Sequence, residues 1–187
     1  MKIAASSTHH PLHARRRKLT IPLGAQRFLA AFEGFEGGFA IGTSIIVALS
    51  FSNLDRTVLL STALLSITVN GFNSASMKYT SEHYMDELDG SEKKNKFRHY
   101  FLPAITEFAA YIVISLFAIV PMILLNNMLH AVWIVAGITL VILFAAGFMR
   151  GYMLRMSPWR DGLEALVLGF GIILVGFIFG YLVYATS

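Results

Sequence analysis

A chain of 187 residues that is 56% hydrophobic and only 14% charged, with a mean hydropathy of +0.63, departs from soluble composition toward that of an integral membrane protein. Its net charge of +4 and pI near 9.5 do not point to nucleic acid as a partner, because the basic residues cluster beside apolar runs, where membrane topology accounts for them. Cysteine is absent, which excludes disulfides and thiolate metal sites.

Residues 1–27 are polar and basic, with His9, His10, His13 and the run Arg15, Arg16, Arg17, Lys18, and show no sustained period. They are expected to form a flexible cytoplasmic tail. No apolar stretch precedes Phe28, so no cleavable signal peptide is expected. Five apolar segments follow, at 28–51, 57–77, 100–125, 128–148 and 163–185, each near the roughly 20 residues that about 30 Å of hydrocarbon requires. The predicted fold is therefore all-α: a five-helix transmembrane bundle occupying 28–187. The joins at 52–56 and 126–127 are short enough to demand tight antiparallel hairpins, whereas 78–99 and 149–162 are longer and charged. Every Lys and Arg except Arg56 falls on the side of the tail and these two longer joins. The positive-inside rule makes that side cytoplasmic, with the N-terminus inside and the C-terminus outside. Tyr100, Trp159, Tyr181 and Tyr184 fall near segment ends, as interfacial aromatics do.

The first segment, FLAAFEGFEGGFAIGTSIIVALSF, carries Glu33 and Glu36 where lipid is expected. An acid at the centre of a spanning helix costs roughly 2.5–3.5 kcal/mol on insertion scales, so its presence asks for a reason. On a helix, Glu33, Glu36, Gly37, Ala40, Thr43 and Ser44 share one face, while Gly34, Gly38 and Gly42 form another that suits close helix packing. The second segment places Thr62, Ser66, Asn70, Asn73 and Met77 on one polar stripe, and the third adds Glu107. The hairpin topology puts Glu33, Glu36 and Glu107 about 8–12 Å in from the cytoplasmic ends of their helices, at 1.5 Å per residue. Asn70 to Met77 form the last turns of the second segment, so acids, amides and a thioether can converge at one level. Glu33, Glu36, Asn73, Met77 and Glu107 are thus candidate metal ligands, suited to a divalent cation such as Fe²⁺, with proton exchange at the acids. In the connector SEHYMDELDGSEKK, helical spacing aligns Glu82 with Asp86 and His83 with Glu87, a possible second, cytoplasmic metal site or simply a solvated extension of the helix.

These residues resemble the vacuolar iron transporter family, which includes yeast and plant nodulin-like members. Glu36-Gly37 sits where that family has an acid-glycine pair in its first helix. NGFNSASMKYTS at 70–81 is similar to its small-residue stretch, with Tyr79 matching, and Pro121 matches a proline of its third helix. The fullest likeness is GYMLRMSPWRDGLEALVLGFGIILVGFIFGYLV at 151–183, which resembles the last loop and fifth helix. The resemblance implies a dimer of five-helix subunits that exchanges Fe²⁺ or Mn²⁺ for protons and removes the metal from the cytosol along a path between subunits, with Glu36 as the first-helix acid of that path. The chain departs from the pattern in the second helix, where Ser74 stands in place of a ligating methionine and Lys78 in place of a glutamate. It also lacks the long cytoplasmic metal-binding domain, resembling members without it.

The expected function is a multi-pass metal/proton antiporter of the plasma membrane if the source is prokaryotic, or of the vacuolar membrane if eukaryotic. Its partners are lipids, the metal, protons and a second copy, with no resident cofactor. The alternative is a non-transporting membrane scaffold whose acids are bridged by Lys78 or by hydrogen bonds. No nucleophile–base constellation appears, so an enzyme is not expected.

Overall fold

The computed structural model describes residues 25–186 apart from Asn53 and Asn126. The expected tail, including its three histidines, therefore lies outside the described residues except for 25–27. Five helices follow in order: α1 (Ala25–Leu49), α2 (Arg56–Leu88), α3 (Leu102–Leu124), α4 (Met128–Met153) and α5 (Pro158–Thr186), with a π-helical turn at Phe97–Phe101 leading into α3. Each is long and apolar enough to cross a membrane, and the described residues contain no strand, as the five-span all-α reading expects.

Helix α1 is the centre of the bundle and touches all four others, packing most extensively on α3. The short joins set the direction of each helix without choosing its main partner. Glycine makes that choice for α1. A Cβ at Gly34 meets the Glu107 backbone carbonyl, one at Gly38 meets the Tyr111 carbonyl at 2.6 Å, and Gly42 sits against Ser115. Ser115 locks the contact by donating to the Gly38 carbonyl at 2.9 Å. A second close approach joins α5 to α1, where Gly176 and Gly180 rest on the backbone of Ser44 and Ala48. In a bilayer, where lipid tails are as apolar as leucine, such contacts hold helices together through dispersion and backbone proximity. The core comprises Ile46, Val47, Leu59, Ile67, Tyr111, Met122 and their neighbours, while α2 and α5 turn residues such as Leu65, Phe72, Val167 and Phe179 outward.

Helix ends differ from the apolar boundaries. Helix α2 continues through Leu88 rather than stopping at Met77, because 78–88 supplies helix-favouring residues and a Lys78–Glu82 pair at 3.0 Å one turn apart. It stops where Gly90 adopts a φ of 64°, the left-handed conformation that ends many helices. Helices α4 and α5 likewise extend into the 149–162 join, leaving only a short turn that contains Arg155 at a φ of 57°. At the opposite end of the bundle, Arg56 donates to the carbonyls of Met122 and Ile123 and so caps α3. One interfacial aromatic is placed differently from expectation. Trp159, Tyr181 and Tyr184 are exposed, but Tyr100 is fully buried. Its hydroxyl donates to Asp86 at 2.9 Å and accepts from the Lys93 N–H at 3.0 Å, anchoring the connector to the bundle.

Candidate functional site

The start of α1, the polar end of α2, the start of α3, the end of α4 and the start of α5 gather at one end of the bundle. Glu33 sits there, half-exposed, and accepts from Lys78 Nζ at 2.5 Å. Lys78 also meets Glu82 at 3.0 Å, and Glu82 in turn accepts from Gln26 at 2.5 Å, so the cation clasps α2 to α1. One turn deeper, Glu36 points toward α4, where Arg150 Nη1 meets its Oε2 at 2.7 Å. The same face of α1 continues with Thr43 bonded to Thr139 of α4 at 2.7 Å and Ser44 donating to the Ile172 carbonyl of α5 at 2.8 Å. Glu107 is only 4% exposed and accepts from Ser74 of α2. It lies within electrostatic reach of Glu33, Lys78 and Glu82. Glu36 Oε1, Glu107 Oε2 and the Tyr111 hydroxyl are buried with no hydrogen-bond partner among the described residues. Orphaned carboxylate oxygens at this depth are costly, and they leave acceptor capacity for a cation or a proton.

Asn73 and Met77 stand apart from these acids. Both are exposed, with the Asn73 amide 3.8 Å from the Met77 sulfur. The buried stripe of α2 is Leu59, Ala63, Ile67, Gly71 and Ala75. At 100° per residue, Ser74 and Lys78 lie within about 60° of Gly71 on that stripe, whereas Met77 is about 120° and Asn73 about 160° away from it. Asn73 and Met77, the end of the polar stripe, therefore face out of the subunit, whereas Thr62, Ser66 and Asn70 are half-buried. On α2, Ser74 and Lys78 are the side chains that touch the acids.

The connector residues do not converge either. Glu82 is held by Lys78 and Gln26, and Asp86 accepts from Tyr100. His83 stacks on Tyr79 and meets Glu92 at 3.2 Å, while Glu87 is exposed. Lys96 and then His83 hold the exposed Glu92 carboxyl below the usual carboxylate range, and Glu92 raises Lys96. Among the described residues, no group of three or more acidic or histidine side chains stands close enough to share a metal ion within one chain.

Three residues that the sequence reading left aside belong to the cluster. Arg150, Asp161 and Glu164 line a cavity of about 380 Å³ together with Glu33, between α1 and the α4–α5 turn. On the sequence, Arg150 reads as a topological charge beyond the fourth segment. The signal that could have recovered it is the apolar continuation FMRGYM, which keeps α4 helical to Met153.

The chain matches no curated protein in sequence comparison. A family model described as the VIT family matches residues 60–181, a stretch that includes Ser74, Lys78, Glu107 and Arg150 but not Glu33 or Glu36. With most of the chain covered by that match and five membrane-length helices in its fold, the chain belongs to the VIT family, the vacuolar iron transporter family, whose members are metal-ion transporters.

Proposed function

We propose that the protein exchanges a divalent transition metal, Fe²⁺ or Mn²⁺, for protons and carries the metal out of the cytosol. The observation that carries this reading is the placement of Glu33, Glu36 and Glu107 at one end of the bundle, two of them with a buried oxygen that no group among the described residues satisfies. Carboxylates at membrane depth are expensive unless they serve an ion path. They suit hard or borderline divalent cations, and a proton can replace the metal at each. Asn73 and Met77 join the ligand set from the outward face of α2 when a second copy packs there. Among the described elements, α2 contacts α1, α3 and the π turn, and its outward face, which none of them covers, is where the homodimer is proposed to form. The excess of Lys and Arg in the tail and the two longer joins supports an acid end that faces the cytosol.

A second reading has its own support. Lys78 and Arg150 already neutralise Glu33 and Glu36, the arrangement expected of a scaffold that keeps the fold without transporting. The two readings part in liposomes loaded with a pH-sensitive dye. Antiport predicts that Mn²⁺ added outside enters the vesicles as their lumen turns alkaline. Uptake without a pH change contradicts exchange, and no uptake favours the scaffold.

A further inference from the structure

The Glu36–Arg150 pair is not built like one that only cancels a charge. A guanidinium dedicated to holding a carboxylate engages both oxygens with its planar fork. Here Arg150 bonds Oε2 alone, while Oε1 is buried and has no partner among the described residues. The same Arg150 side chain lines the 380 Å³ cavity with Asp161 and Glu164 of α5. Asp161 is 6% exposed, and Glu164 is near enough to act electrostatically on Glu36. The guanidinium, on its long flexible stem, therefore stands between two sets of acids, Glu36 on α1 and the pair on α5.

We infer that Arg150 is a resident counter-cation that competes with the transported ion for Glu36 and withdraws toward Glu164 and Asp161 when a divalent cation arrives. This deepens the transport reading and rests on it. In the metal-free protein the arginine keeps Glu36 from standing as an uncompensated charge in a low-dielectric bundle. The incoming ion has one hydrogen bond to displace, and the free Oε1 gives it a first point of attachment. The displaced guanidinium moves within a cavity whose wall carries Glu33, Asp161 and Glu164 beside Leu29, Leu154 and Met156, so the exchange swaps one carboxylate partner for another.

Competition has a signature that a merely structural pair lacks: removing the competitor tightens binding. Calorimetric titration of the purified full chain with Mn²⁺ reads this directly. Arg150→Gln is expected to bind Mn²⁺ roughly tenfold more tightly, the scale of one charge-assisted hydrogen bond. Arg150→Lys, which keeps the charge and loses the fork, is expected to fall between it and the wild type. The gain should vanish in the Glu36→Gln, Arg150→Gln double variant. It should not appear in Arg160→Gln, which removes an exposed cation at the same end and so reports the general field alone. If Arg150→Gln fails to fold, Arg150→Lys carries the comparison. Binding that depends on Glu36 but is unchanged or weaker in the Arg150 variants overturns the inference and leaves transport standing. Absence of Mn²⁺ binding in every variant overturns both.

Discussion

Glu107 and Ser74 show how closely the acid end is balanced. Glu107 is buried on α3 with one oxygen bonded to Ser74 and the other without a partner among the described residues. Ser74→Ala orphans the second oxygen, and the expected loss is about 1–3 kcal/mol in detergent unfolding. An unchanged midpoint contradicts the bond. The acids themselves were legible in the sequence because a carboxylate among apolar residues is costly and therefore conspicuous. Their partners were not. Periodicity put Asn73 and Met77 on a polar stripe, but in a membrane helix a polar stripe can face a neighbouring subunit as readily as its own bundle. Only the small-residue line through Gly71 and Ala75 marks the inward face, and Ser74 and Lys78 flank it. Arg150 was hidden for a different reason, since hydropathy ends a segment at the last apolar run and assigns the next charge to a loop.

Among the elements, the glycine stripe of α1 is the feature the sequence described most fully, although its partner, α3, came only from the fold. Gly34→Ala drives a methyl into the Glu107 carbonyl, so α1 and α3 must separate, at an expected cost of about 1–3 kcal/mol. Gly137 of α4 has open space where its Cβ belongs, and Gly137→Ala is expected to be neutral or to stabilise by up to about 1 kcal/mol through helix propensity. Thermal unfolding of the two variants side by side checks the pair. Equal effects contradict the packing account. The outward face of α2 carries its own expectation. Because the chain has no cysteine, Met77→Cys is a clean probe. The homodimer reading expects oxidation in membranes to yield a disulfide-linked dimer, and a purely monomeric product contradicts a path between α2 faces.

At the scale of the whole molecule, the number and character of the helices could be read from the sequence because five apolar runs of bilayer length leave few alternatives. The ends could not, since polar residues continue a helix beyond the hydrocarbon whenever propensity and one-turn ion pairs favour it, as Lys78 and Glu82 do in α2. The proposed orientation rests on charge: among the described residues, Arg56 is alone of the Lys and Arg side chains at the far end, where it caps α3. A thiol reagent that cannot cross the membrane is expected to label Ser91→Cys from the cytosolic side and Leu54→Cys from the opposite side. The reverse pattern inverts the proposed direction of transport. The claim on which the account turns is that Glu36 lies on the path of a divalent metal ion. Mn²⁺ accumulation in proteoliposomes, measured for wild type and for Glu36→Ala reconstituted at equal density, tests it most directly. The account predicts uptake by the wild type that falls to the protein-free background in Glu36→Ala, and equal accumulation by the two contradicts it.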